Sequence, residues 1–235
     1  MSNYDALLRS FGPSAWWKLA DAVGSSTAAD SSGNGYVGTV NGGVTFGQPG
    51  PIASTPADTA ALFDQSGAVQ YISTGLAVPV GGDFTALAWG YPETGLGGDL
   101  LIARSGYDAC GILSQSNSDG TISFGATVYT GGNNYNFESA HRPMNAWYFV
   151  VASYSATAGM TLYVNGAVAM SEPTWTGGNT LVADWSIGDT TGNWTGLAAQ
   201  CAPFPTALSA AQIAALWSPP PLVSGGSGWP HLVYR

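Results

Sequence analysis

The chain has 235 residues, of which only 8% are charged, with a formal net charge of −9 and a sequence pI near 4.2. Five Lys and Arg in total, never clustered, leave no cationic patch to displace counterions from phosphate, so nucleic acid is excluded as a partner and anionic membranes with it. No apolar run approaches the roughly 18 residues needed to span a bilayer, so membrane insertion is not expected either.

The surface has to be made mostly of Ser, Thr, Asn, Gln and Gly, which suits a protein that works outside a cell. The opening MSNYDALLRSFGP has no basic segment followed by a long apolar one. That predicts either a trimmed signal or release by another route, such as lysis of a host by a virus. A chain of this length can bury about 70–75% of its unfolded surface, enough for a full two-sheet core without staples.

In chain order, residues 4–11 (YDALLRSF) read as a short helix or turn ended by Gly12-Pro13. Residues 15–20 (AWWKLA) read as the first strand, with Trp16 and either Trp17 or Leu19 as core candidates. A turn-rich stretch, Asp30-Ser31-Ser32-Gly33-Asn34-Gly35, precedes a strand over 36–40. Short strands are predicted over 44–46, 60–63 and 69–72, and the proline-rich stretch from Gln48 to Pro56 is unfit for a central strand. Residues 83–91 (DFTALAWGY) form the longest alternating strand, with Phe84, Ala86 and Ala88 opposed to Leu87, Trp89 and Tyr91.

Strands over 100–103, 111–115 and 121–128 follow at the spacing of an all-β sandwich. Residues 147–154 are another strand, and Thr161 to Val164 runs into Asn165-Gly166, a strong signal for a tight hairpin because both central residues of a type I′ turn need positive φ. Strands over 185–188 and 196–202 complete the set. Ser209-Ala210-Ala211-Gln212 is a capping box opening a helix over 210–217, stopped by Pro219-Pro220-Pro221. The organisation is thus a sandwich domain over residues 1–218 and a Pro/Gly-rich linker with an apolar arm over 219–235. In the arm, Trp229, Pro230, His231, Leu232, Val233 and Tyr234 are the candidate docking residues, on the sandwich itself or on a neighbouring chain.

Three segments resemble a known family. They are residues 12–19 (GPSAWWKL) with the 30–35 turn, residues 145–170 (NAWYFVVASYSATAGMTLYVNGAVAM), and residues 196–201 (GLAAQC) with the helix sequence ALSAAQI. Together they are similar to the laminin-G-like domains of bacterial and phage proteins, within the concanavalin-A-like lectin/glucanase group. The resemblance implies an all-β fold, a two-sheet antiparallel jelly-roll sandwich with one short C-terminal helix. The closing strand of that family usually reads G-x-I-D-E-V. Here Ala198, Ala199, Gln200 and Cys201 fill the matching positions and both carboxylates are missing.

The resemblance raises calcium and glycoside hydrolysis, and the residues argue against both. Calcium takes six to eight oxygens, and Asp30 with Asn34 falls short, so Asp30 is expected to cap its own turn. Two cysteines and two distant histidines cannot build a four-ligand zinc site, and no cofactor or metal is expected. Cys110 and Cys201 read either as separate buried thiols or as one disulfide. Retaining glycosidases need a close pair of carboxyl groups, whereas Glu93, Glu138 and Glu172 are each isolated. There is no G-x-S-x-G, and His141 beside Arg142-Pro143 reads as a surface residue. The expectation is a non-enzyme.

Sugar binding has better support. Tyr129, Asn133, Asn134 and Tyr135 around Gly131-Gly132, and Trp175 and Asn179 around Gly177-Gly178, combine flat rings, amides and close-approach glycines. The same residues could instead be hairpin tips whose rings pack on the sandwich edge. Two functional classes follow. One is a virion accessory protein of a phage, a capsid decoration or minor tail protein at the virion surface, contacting other virion proteins or itself and possibly a cell-surface glycan. The other is a secreted carbohydrate-binding module or glucanase-like domain.

Overall fold

A computed structural model describes residues 3–52, 58–65, 67–93, 97–188 and 194–217. The linker and arm over 219–235, including Trp229 to Tyr234, lie outside the described residues. The chain opens with helix α1 (Asn3–Ser10) and continues through β1 (Thr27–Ala28), β2 (Gly38–Asn41), β3 (Thr45–Pro49), β4 (Thr59–Phe63) and β5 (Tyr71–Ala77). Next come β6 (Phe84–Pro92), β7 (Asp99–Ser105), β8 (Asp108–Ser116), β9 (Thr121–Thr130), β10 (Asn133–Glu138) and β11 (Arg142–Pro143). Then β12 (Tyr148–Ser155), β13 (Gly159–Val164), β14 (Ala167–Glu172), β15 (Asp184–Ile187), β16 (Gly196–Phe204) and helix α2 (Ala210–Trp217) complete the fold.

Two antiparallel sheets result, the expected jelly-roll sandwich. One has the order β1-β2-β5-β15-β7-β8-β9-β10, with β11 also on β9, and the other β14-β13-β12-β6-β16-β4-β3. The alternation in β6 shows why one core is not enough. Phe84, Ala86 and Ala88 enter the core between the sheets, while Leu87 and Trp89 turn to a second core on the far side of the seven-stranded sheet. Tyr4 and Leu8 of α1 and Ile213 and Leu216 of α2 cover that second core. Both sides of the strand are therefore dry, and its burial is nearly continuous from Phe84 to Gly90.

Local chemistry fixes the ends. Asn165 and Gly166 have φ of 54° and 77°, as a type I′ turn requires, and the Asn165 side chain also accepts from Phe149 N at 3.0 Å. In the capping box Ser209 Oγ accepts from Gln212 N at 3.3 Å, and Gln212 Oε1 accepts from Ser209 N at 2.9 Å. Pro49 sits on β3, an edge strand where its missing N–H costs no ladder bond.

One expectation fails. Residues 15–20 do not form a strand. Trp17 makes only isolated bridges to Cys201 and Asp30, and Leu19, at φ 62°, ends the extended run. Trp16, Trp17 and Leu19 are all fully buried, Trp16 in the outer core and the other two between the sheets. The alternating pattern thus comes from a segment wedged between two cores. The stretch over 129–135 takes the hairpin-tip alternative. Gly131 and Gly132 both have positive φ, and β10 returns along β9.

The N-terminal segment is held by side chains. Trp16 Nε1 donates to Gln200 Oε1 at 2.8 Å, and Gln200 is buried in a bulge of β16 at φ 54°. Arg9 and Lys18 lie 5.3 Å and 4.6 Å from the centre of the Trp16 ring, and Lys18 pairs with Asp5 at 2.6 Å. Gln200 thus serves to orient a buried tryptophan.

Asp30 caps its turn as expected. Its two oxygens accept from Trp16 N (3.0 Å), Ser32 N (2.8 Å), Ser32 Oγ (2.9 Å) and Tyr36 N (3.0 Å). Burial pushes its pKa up, but the hydrogen bonds from Ser32, Trp16 and Tyr36 pull harder and leave it below the ordinary 3.8. A depressed folded pKa means stability present above the unfolded value and lost as pH falls through the folded one. Denaturant titrations at pH 6 and pH 3 should therefore show a larger loss on acidification for the wild type than for Asp30→Ala. Equal losses would remove Asp30 from the acid response.

Both cysteines are buried and free, so they are separate thiols. Burial pushes Cys110 up to about 12 and Cys201 further in the same direction, which keeps both protonated at neutral pH.

Candidate functional site

The two stretches singled out for sugar contact lie side by side at one end of the sandwich. Thr130 Oγ1 donates to Gly178 O at 2.7 Å, and Thr180 N donates to Tyr129 O at 2.8 Å. Gly178 also admits a third segment, since a Cβ there would stand 2.7 Å from Gly81 O.

Register then sorts the residues. Asn134 is opposite Tyr129 and Tyr135 is opposite Val128, so Asn134 and Tyr129 share the outer face of the sheet while Tyr135 points inward. Tyr135 and Phe137 meet Trp175 with ring centres 5.3 Å and 5.0 Å apart, and all three pack on the core between the sheets. This aromatic cluster closes the open side of the sandwich between β10 and β14. For Tyr135 and Trp175 the edge-packing alternative is the one the structure takes.

Asn179 is a correction. It is fully buried, its Nδ2 donates to Pro79 O at 2.8 Å, and its Oδ1 accepts from Leu181 N at 3.0 Å and from the Cys110 thiol at 2.8 Å. Its amide is spent inside the fold and offers nothing to a ligand at the surface. A polar side chain beside two glycines reads as exposed, yet here it satisfies the buried backbone of a loop.

Asn134 has a different use. Its Oδ1 takes bonds from Thr127 Oγ1 (3.1 Å) and Ala109 N (3.4 Å), and its Nδ2 donates to Tyr107 O at 2.9 Å. The tip of the β7–β8 hairpin is thereby fastened to β10. On that tip stands Tyr107, 93% exposed, after Gly106 at φ 63°. Asn133 is exposed at the neighbouring tip, its Nδ2 donating to Gly131 O at 3.2 Å, and Tyr129 is half-buried behind it. By the same register Asn133, opposite Thr130, falls on the face of Tyr135, and Tyr129 packs partly on the core between the sheets, so the outward surface is Tyr107 and Asn134 with Tyr129 at its margin. Sequence reading missed Tyr107. The signal was there in Ser105-Gly106-Tyr107-Asp108, a ring at a turn between two alternating runs.

Charges are mostly committed to structure. Arg104 holds Asp99 through Nε and a terminal nitrogen, each at 2.9 Å, with Asp99 almost wholly buried. Asp83 accepts from Ala156 N at 2.8 Å, and Glu172 from Thr174 Oγ1 at 2.7 Å. His141 does have an acid partner, which the 22-residue separation concealed: Nδ1 lies 2.8 Å from Asp119 Oδ2. Both side chains are more than half exposed, and the hydroxyl nearby, Thr121, bonds Asp119. Bonds from Thr121 and His141 hold Asp119 down at about 2. Among the described residues no three His, Cys, Asp or Glu side chains converge as metal ligands would.

A family model described as the concanavalin A-like lectin/glucanases superfamily matches residues 63–214. No curated protein matches the chain. Among solved structures, domain 4 of AbnA, an extracellular arabinanase from Geobacillus stearothermophilus in complex with arabinotriose, superposes with a TM-score of 0.59 at 17% identity. It covers 88% of this chain and 98% of that one. Botulinum neurotoxin type C, whose cell entry depends on interaction with two ganglioside molecules, gives 0.62 at 14% identity over 90% of this chain and 52% of that one. A heptameric pentraxin from Limulus polyphemus gives 0.54 at 16% identity over 67% and 80%. The chain belongs to the concanavalin A-like lectin/glucanase superfamily.

Proposed function

We propose that this member of the superfamily is a non-catalytic glycan-binding module, and that its contact surface is centred on Tyr107, with Asn134 and the exposed edge of Tyr129 beside it. The observation that carries the reading is Tyr107, an aromatic ring 93% exposed on a hairpin tip that Asn134 holds in place. A phenol offers an apolar face to a pyranose or furanose ring and a hydroxyl to its oxygens, while the Asn134 amide, committed to Thr127, Ala109 and Tyr107, holds that phenol in place. Arabinotriose and sialic acid are bound in two of the similar structures and cell entry by a third depends on gangliosides, which supports the ligand class without choosing within it. Absence of catalysis is supported by the structural employment of Asp30, Asp83, Asp99 and Glu172.

For context we favour an extracellular attachment role on a particle, a phage capsid decoration or minor tail protein. Sparse charge and the resemblance to phage laminin-G-like domains support it. Truncation after Pro221 should then abolish incorporation and leave the sandwich folded. The near end-to-end match to one domain of an extracellular arabinanase favours the second reading, an accessory carbohydrate-binding domain of a secreted enzyme.

The test is a glycan array spanning arabino-oligosaccharides and sialylated glycans, probed with wild type, Tyr107→Ala and Trp175→Ala. Binding that falls about tenfold or more with Tyr107→Ala supports the site. Binding that survives Tyr107→Ala and is lost with a folded Trp175→Ala would move it to the aromatic cluster.

A further inference from the structure

A sandwich of two open sheets has four edge strands, and exposed edges invite pairing unless they are blunted. Three of the four here are. β1 is two residues long. β3 carries Gly47, Pro49 and a register shift between Thr45 and Gln48. β14 is bent by a register shift opposite Leu162 and Tyr163, and its turn at Gly166 lies under the Trp217 ring. β10 has none of these devices. It runs six residues in unbroken register with β9, contains no proline, lysine or arginine, and pairs with no other strand among the described residues.

Which backbone groups it leaves open follows from the hairpin. In a two-residue turn the flanking residues, here Thr130 and Asn133, bond each other, so odd-numbered residues of β10 aim N–H and C=O at β9. The bonds from Thr127 Oγ1 to Tyr135 O and from Ser139 N to Phe124 O agree. Asn134, Asn136 and Glu138 therefore aim theirs outward, a row of three donor–acceptor sets that pair with no strand among the described residues.

We propose that this edge pairs with β10 of a second copy of the chain, antiparallel about a twofold axis at Asn136. In that register Asn136 faces its own symmetry mate, and Asn134 faces Glu138, so the edge's one carboxylate meets an amide and not another carboxylate. Tyr135 faces Phe137 on the inner side, which continues the Trp175 cluster across the axis. All three outward sets are used, each pair exchanging two bonds, as an isologous contact requires. The two nine-stranded sheets become one. The pairing shares only Asn134 with the glycan reading, using its outward backbone and not its side chain, and it is tested at Asn136, which the glycan reading does not use.

Sedimentation of the full chain at micromolar concentration should show a species of twice 24.0 kDa. Asn136→Pro and Asn136→Lys should each weaken it by about tenfold or more, the first by removing the axial donor and the second by placing like charges together. Neither touches a bond to β9, and unchanged thermal midpoints would confirm the fold. Asn136→Cys gives the register directly, since hydrogen-bonded partners sit about 5.5 Å apart between Cα atoms, within disulfide reach. It should cross-link under mild oxidation, whereas Thr45→Cys on the edge of the other sheet should not. A monomer at these concentrations, a dimer indifferent to Pro and Lys at 136, or a dimer that Asn136→Cys cannot cross-link would each overturn the proposal.

Discussion

Trp16→Ala is expected to destabilise the domain by about 3–5 kcal/mol, the range for deleting a fully buried large aromatic. The indole lies in the outer core, so truncation opens a cavity there. It also leaves Gln200 Oε1, nearly fully buried, without its donor. The Arg9 and Lys18 contacts over the ring are lost as well, although these are partly exposed and contribute less. Urea denaturation followed by circular dichroism measures the difference. Gln200→Leu isolates the polar part and should cost about 1–3 kcal/mol, because Trp16 Nε1 is then buried unpaired. A loss below 1 kcal/mol for Trp16→Ala would mean that the N-terminal segment is not part of the cooperative fold.

Asn179→Ala is expected to cost about 2–4 kcal/mol, since it strands Leu181 N and Pro79 O inside the loop and removes the acceptor of the Cys110 thiol. The same denaturation experiment reads it. Glycan binding by the folded fraction should be unchanged, as the amide does not reach the surface. Binding lost in a protein of undiminished stability would return Asn179 to the site.

Legibility in the sequence tracked how local the cause was. Asn165-Gly166, the Ser209–Gln212 box and the two faces of β6 are written in adjacent residues, and each formed as expected. β10 was not legible because Asn133, Asn134 and Asn136 are poor strand formers, and pairing with β9 overrides that preference. Residues 15–20 alternate like a strand, yet the alternation records two cores and not a ladder. Within the site, the neighbourhood of the two glycine-rich stretches was readable. Which rings faced out was not, because facing depends on register. Tyr135 and Tyr129 are separated by that alone. The bond between Asn134 and Tyr107 joins residues 27 apart, and no local pattern announces it.

The proposed glycan contact surface is Tyr107 with Asn134 and the exposed edge of Tyr129. Amide chemical-shift mapping of the 15N-labelled chain against the strongest ligand from the array addresses it most directly. Saturable shifts confined to residues 105–108, 129–134 and 180, absent in Tyr107→Ala, are the predicted result. Shifts centred on Trp175 and Phe137, on the outer core, or nowhere on the protein would contradict it.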